Sequence, residues 1–218
     1  MSLERPDRGE VERGYDRVAD EYVRRIADEL RHKPLDRELL DRFATLTRPR
    51  GRIADVGCGP GHVGRHLMER GVRVCGVDLA RGMLERARHL HPGLEVLQGD
   101  MTALPVRDHA WAGIVAFYSI IHVPRAEVPW ALAEMRRTLE PGGRLLMAFH
   151  IGDGALHMDE WWGHRVDIDF LYFQPGEMAT ALVTAGFTIE EIVEREPYPD
   201  VEHPSRRAYL LARRPPSP

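Results

Sequence analysis

Cysteine is nearly absent from this 218-residue chain: Cys58 and Cys75 are the two thiols, and they form no CxxC pair. Two thiols exclude a disulfide scaffold and an iron–sulfur cluster, so both are read as reduced bystanders. Lysine is scarcer still, because Lys33 is one of 30 basic residues and all the others are arginine. That bias reads as coding-sequence composition. Against 34 acidic residues it leaves a net charge of −4, so no broad phosphate-binding surface and no nucleic-acid partner is expected. Long apolar runs are missing too. The most hydrophobic stretch, 114–123, is broken by Tyr118, Ser119 and His122 and falls far short of the ~20 residues that span a bilayer. The first residues lack the apolar centre of a leader. The expectation is one soluble, cytoplasmic domain with no membrane partner.

What is present falls into two patterns. Between about residues 10 and 46, Tyr15, Val18, Ala19, Tyr22 and Ile26 share one helical face, and beyond a break at Pro34 so do Leu39, Leu40 and Phe43. From Arg52 onward, short apolar strands at 53–56, 72–77, 94–97, 114–118 and 144–149 alternate with helices at 62–70, 80–89 and 126–139. Crossovers that long predict a parallel sheet with helices on both faces. A helix over 175–185 and strands over 187–195 and 206–212, joined by a Pro-rich turn, predict a closing antiparallel hairpin. The expected fold class is therefore α/β, a seven-stranded mostly parallel sheet whose last strand is antiparallel.

The first predicted strand runs straight into Asp55-Val-Gly57-Cys58-Gly59-Pro-Gly61. Glycine at alternate positions lets backbone approach a ligand or take positive φ, and a helix start beyond it offers unpaired N–H groups. A dinucleotide fingerprint starts directly after the strand, and counted from Gly57 its third glycine falls on His62. An NAD(P) site is thus out of register.

These residues carry a resemblance. Asp55 to Gly61 resembles the first motif of class I S-adenosylmethionine (SAM)-dependent methyltransferases, which have a Rossmann-like fold. The match continues with Val77-Asp78, Met83 in the helix that follows, Gln98-Gly99-Asp100-Met101, and Leu139-Glu-Pro-Gly-Gly143 before the fifth strand. Tyr15 to Tyr22 is similar to the lid helix of small-molecule methyltransferases related to the quinone-biosynthesis enzymes. The resemblance spans about Tyr15 to Ala212. It implies SAM as cofactor, with Asp55 on the methionine ammonium, Asp78 on the ribose diol, Met83 against adenine, and Asp100 with the Met101 amide on the adenine edge. Gly57, Cys58, Gly59, Gly61, Leu79, Gly99, Phe117, Tyr118 and the lid residues Tyr15 and Tyr22 complete the implied cofactor site. One departure is the pair Trp111-Ala112, where the family has an aromatic followed by Asp.

A methyl acceptor is expected outside the carboxyl ends of the strands. Tyr118 and His122 follow the fourth strand and His150 ends the fifth, so these three are the expected catalytic residues. A histidine near its ordinary pKa would suit a general base. The insertion 151–174 holds Trp161, Trp162 and Tyr172, expected to floor a substrate pocket. Val166, Ile168 and Phe170 alternate with Asp167 and Asp169 and predict one short strand, a possible dimer edge. His157, Asp159, Glu160 and His164 form no HExxH, and the His62/His66 pair lacks the glutamate, so no metal is expected.

The leading function is methyl transfer from SAM to an O or N of a small organic molecule by direct in-line displacement. An NAD(P)-dependent oxidoreductase and a non-catalytic SAM-binding module are the alternatives. The chain divides into a helical lid or lead (1–50), a SAM-binding βα core (51–150), a substrate-side insertion (151–174) and a C-terminal helix and hairpin (175–218), as a monomer or homodimer.

Overall fold

The structure, a computed structural model, describes residues 8–216; residues 1–7 of the predicted lead and 217–218 of the last segment lie outside the described residues. Helix α1 (Arg8–Ile26) has Glu10 in its first turn and Arg24 and Arg25 in its last, matching the helix dipole at both ends. A 3-10 turn (Glu29–His32) leads into α2 (Pro34–Thr47), where Pro34 stands at the position that needs no N–H donor.

The main sheet is built from β1 (Ile53–Val56), β2 (Val74–Asp78), β3 (Glu95–Gln98), β4 (Trp111–Phe117), β5 (Leu139–His150), β8 (Thr188–Arg195) and β9 (Arg207–Arg213). Its order is β3-β2-β1-β4-β5-β9-β8. The first five strands run parallel, and β9 runs antiparallel to both β5 and β8. This is the expected sheet. Helices α3 (His62–Met68), α4 (Arg81–Leu90), α5 (Val128–Thr138) and α6 (Pro175–Thr184) connect its strands.

Strand alternation sorts the core into two layers. Ile114, Ala116, Leu145, Met147, Leu210 and Ala212 face α5 and α6 through Val128, Leu132, Met135, Met178 and Leu182. Their neighbours Val115, Phe117, Leu146, Ala148, Tyr209 and Leu211 face α2 and α3 through Leu39, Leu40, Phe43, Val63 and Leu67. A residue period of two thus commits each strand to both layers.

Three expectations are corrected. Strand β4 starts at Trp111 and β5 at Leu139, because Trp111 pairs with Leu139 ahead of a register shift; the predicted turn at 139–143 is part of β5. Helix α3 is only seven residues long. Residues 151–174 hold two strands, not one: β6 (Ala155–Trp161) and β7 (His164–Leu171) form a separate antiparallel hairpin. Its two-residue turn, Trp162-Gly163, takes φ of 53° and 82°, the left-handed pair that matches strand twist.

Helix α1 crosses the carboxyl end of the sheet between that hairpin and α4. Val18 and Ala19 bury against Ala80, Met83, Val166 and Ile168. Polar clips reinforce the packing: Gly82 N donates to Asp16 Oδ1 at 2.6 Å and Arg86 Nε to Asp20 Oδ1 at 2.6 Å. Among the described residues no helix is long and apolar enough to cross a membrane.

Candidate functional site

The order of strands reverses between β1 and β4, which opens a crevice at their carboxyl ends. Gly57 is needed there, because a Cβ at its φ of 77° would sit 2.1 Å from Ser119 Cβ. Ser119 Oγ in turn donates to Val56 O at 2.8 Å, so the ends of β1 and β4 are locked together. Gly59, at φ 52°, has Tyr22 Cε1 at 3.9 Å as the nearest atom to an added Cβ, and so presents bare backbone to the cavity. Gly61 serves packing instead: its Cβ would strike Leu94 Cδ2 at 2.7 Å.

The crevice is a cavity lined by Gly57, Cys58 and Gly59, by Asp55, Asp78, Leu79, Gly99, Asp100, Met101, Phe117 and Tyr118, and by Tyr15 and Tyr22 from α1. The structure therefore brings together the implied cofactor residues with two exceptions. Gly61 is one. Met83 is the other, fully buried under α1 in the Val18–Ile168 cluster and not part of the lining.

Three carboxylates space the cavity. Asp55 is 1% exposed and its Oδ2 has no hydrogen-bond partner. Burial pushes its carboxyl up to about 7, with His62 opposing. Asp78 accepts from Gly59 N and Ala80 N, each at 2.8 Å, yet burial still lifts it to about 6. Asp100 accepts from Thr102 N at 2.8 Å and pairs with Arg8 of α1, which also reaches Glu127. Burial holds the Cys58 thiol well above its ordinary value, so it is not a nucleophile.

The donor set fits SAM. A buried carboxylate with one oxygen unpartnered suits its ammonium, and each Asp78 oxygen has a lone pair left for a ribose hydroxyl beyond the backbone donor it holds. Bare backbone at Gly59 admits close approach.

The three expected catalytic residues separate. His122 lines the cavity, and its Nδ1 lies 3.1 Å from Asp169 O. A carbonyl only accepts, so Nδ1 carries the proton and Nε2 accepts from Tyr15 OH at 2.8 Å. Burial pushes the ring down to about 4. Placed so, His122 ties α1 to the hairpin. Tyr118 takes a φ of 52° and turns its hydroxyl to Tyr209 OH (3.0 Å) and Asp36 Oδ1 (3.4 Å). His150 lines a second, adjoining cavity, with Nδ1 2.8 Å from Ser205 Oγ. It differs most from expectation. Burial, then Arg207, His203 and Lys33, push it down to about 3, far from an ordinary imidazole.

The second cavity has a volume of about 640 Å³, within the range of small-molecule sites. Trp161, Trp162 and Tyr172 all line it, as the sequence suggested. Tyr15, Tyr22, Tyr118 and Glu29 line both cavities, which therefore adjoin across these four side chains.

Sequence reasoning missed Arg8, Glu29, Lys33, Glu202 and Arg207. Glu29 is the most consequential. Burial alone would raise its carboxyl, but His62 and Lys33 outweigh that and hold it at about 2, ionised where the two cavities adjoin. Among the described residues no group of three or more His, Cys, Asp or Glu is disposed to hold a metal ion.

Residues 53–143 match the family described as a methyltransferase domain. Over 130 residues it is 32% identical to a malonyl-[acyl-carrier protein] O-methyltransferase of Serratia marcescens, covering 59% of this chain and 50% of that protein. Over 100 residues it is 33% identical to a demethylmenaquinone methyltransferase of Renibacterium salmoninarum, covering 46% and 41%. The chain thus spans about half the length of the curated relatives it matches. A methyltransferase of Streptomyces caelestis shares the fold, with a TM-score of 0.71 at 18% identity over 93% of this chain and 98% of that one.

Proposed function

We propose that this protein transfers a methyl group from SAM to an O or N of a small organic molecule by direct in-line displacement. The carrying observation is adjacency: the glycine-and-carboxylate cavity shares Tyr15, Tyr22, Tyr118 and Glu29 with a second cavity large enough for an organic substrate. Relatives named as O-methyltransferases and quinone methyltransferases support the reading.

When bound, SAM supplies an electrophilic methyl carbon on a sulfonium. Asp55 would receive the ammonium, Asp78 the ribose hydroxyls, and Asp100 with Met101 N the adenine edge. Tyr15 and Tyr22, which line both cavities, would exclude water and align the acceptor, which supplies most of the rate in a displacement without an enzyme-bound intermediate. His150 at about 3 is a weak base, so an acceptor that ionises on its own suits this site best. In this reading residues 1–50 act as the lid, 151–174 as the acceptor-side insertion and 175–218 as the sheet edge, in one small-molecule enzyme of the cytoplasm, as a monomer or homodimer.

The test is calorimetric titration with SAM and, separately, NADH, followed by mass spectrometry of metabolite mixtures incubated with SAM. Micromolar SAM binding and a product heavier by one methylene are expected. Tight NADH binding without SAM binding overturns the proposal. SAM binding with no methylated product from any mixture leaves a binding module instead.

A further inference from the structure

Ring contacts divide the wall of the second cavity into two parts. Trp161 packs against Trp162, Phe170, Tyr15 and Tyr22, with centroids 4.7, 5.3, 5.4 and 5.9 Å away. His150 packs against Tyr118, Tyr172 and His203 at 5.2, 5.8 and 6.2 Å. The first part is apolar. The second leads into a polar cluster in which Lys33, Arg207 and the Glu202 side chain are buried and His203 is exposed.

In that cluster the carboxylates are fully engaged. Glu202 accepts from Tyr198 N at 2.8 Å and faces three cations: Arg195, Arg207 at 3.2 Å and Lys33 at 3.3 Å. Glu29 is held by Lys33 at 2.6 Å and His62 at 3.3 Å. Asp200, the remaining acid on the wall, is exposed.

The donors are not engaged to the same degree. Arg207 is 2% exposed, and its hydrogen bonds to His203 O, Ser205 O and Ser205 Oγ all leave from Nη1. Its Nε is buried without a hydrogen-bond partner, since Glu202 Oε2, although 3.2 Å away, is out of line with the N–H. A guanidinium edge with an idle N–H matches the planar fork of a carboxylate. Burial is the main cause of the depressed basicity of His150; beyond it, Arg207, His203 and Lys33 work against a positive charge there and Glu202 works for it.

We propose that the acceptor is an amphipathic organic carboxylate, its anionic group seated on Arg207 beside His150 and its apolar body lying along Trp161, Trp162 and Phe170. The word acceptor rests on the methyltransferase reading; the binding preference does not. An anion at Arg207 completes the idle donor, and the aromatic wall takes the rest of the molecule.

The experiment is calorimetry on the whole chain with 2-naphthylacetate and its uncharged amide, each with and without S-adenosylhomocysteine. The acid is expected to bind about tenfold or more tighter than the amide, the factor of one charge-assisted hydrogen bond. Arg207→Gln should erase that difference. Because Arg207 is buried and its loss can unfold the chain, a second measurement uses the unaltered protein: His150 followed by NMR should protonate at higher pH with the acid bound than with the amide. Equal affinities, tighter binding of the amide, no binding of the acid, or an unmoved His150 titration each overturn the proposal. Failure of S-adenosylhomocysteine to bind would instead count against the methyltransferase reading, since the acid–amide comparison is read without it as well.

Discussion

Asp55 and Asp78 carry the sharpest predictions at the scale of single residues. Asp78→Ala is expected to weaken SAM binding by at least ~1.5 kcal/mol, the loss of a hydrogen-bonding anion, measured by calorimetry; unchanged affinity would remove Asp78 from the site. Asp55 binds its proton more tightly in the fold than in the open chain, because burial raises it to about 7. Its contribution to stability is therefore complete at pH below the ordinary carboxylate value and is lost as pH rises through about 7. Asp55→Asn should consequently make the ligand-free protein more stable than wild type at pH 8, on the order of 1 kcal/mol, with the gap closing by about pH 4. The same variant should lose the rise in SAM affinity that wild type shows between about pH 6 and pH 8 as the carboxylate ionises. Thermal melts and titrations across that range check both, and a flat pH response in wild type would refute the assignment. Asp55, Gly57 and Asp78 were legible in the sequence because their chemistry is local: a strand end, a forced positive φ, an acid at the next strand end. Glu29, Lys33 and Arg207 were not, because an ordinary helical acid, a lone lysine and a strand-initial arginine acquire meaning only when the lead, the last turn and β9 converge.

Among elements, α1 and the β6–β7 hairpin pack against each other, α1 lining both cavities and the hairpin the second. Gly14 is where they touch: a Cβ there would lie 2.4 Å from Ile168 Cδ1, and Ile168 is 1% exposed with little room to turn. Gly14→Val should therefore lift α1 from the hairpin while leaving the main sheet folded. The expected readouts are faster proteolysis within residues 8–26 and SAM binding weakened about tenfold, of the order caused by overpacking a buried contact; wild-type protection and affinity would show that α1 does not close the site. Apart from β3 at the sheet edge, which is largely exposed, the main strands were readable because each is covered on one or both sides, so its apolar residues form a run or an alternation. Strand β7 was readable for the same reason, through buried Val166 and Ile168. Its partner β6 was not, since nearly every position in Ala155–Trp161 is exposed or half-buried and no alternation is imposed on it.

At the scale of the whole molecule, a ligand that bridges β1, β2, β3 and α1 should stabilise all of them at once. SAM at a hundred times its Kd is expected to add about 2.7 kcal/mol, or roughly 5–10 °C in Tm for a chain of this size. NADH at the same concentration should leave the melt unchanged; a matching shift would favour the oxidoreductase reading. The sequence was a good guide at this scale because crossover lengths alone order a parallel sheet, whereas the second cavity depends on side chains from both ends of the chain. The hairpin is joined to the fold at the Ile151–Phe173 bridge, where Phe173 N donates to His150 O at 3.0 Å, and its two strands pair with each other, not with the main sheet. Residues 152–172 thus behave as a cassette. A different hairpin spliced between those two anchors would bring a new wall to the second cavity without disturbing a single hydrogen bond of the seven strands below, a cheap route by which descendants of one ancestor could come to bind unlike molecules.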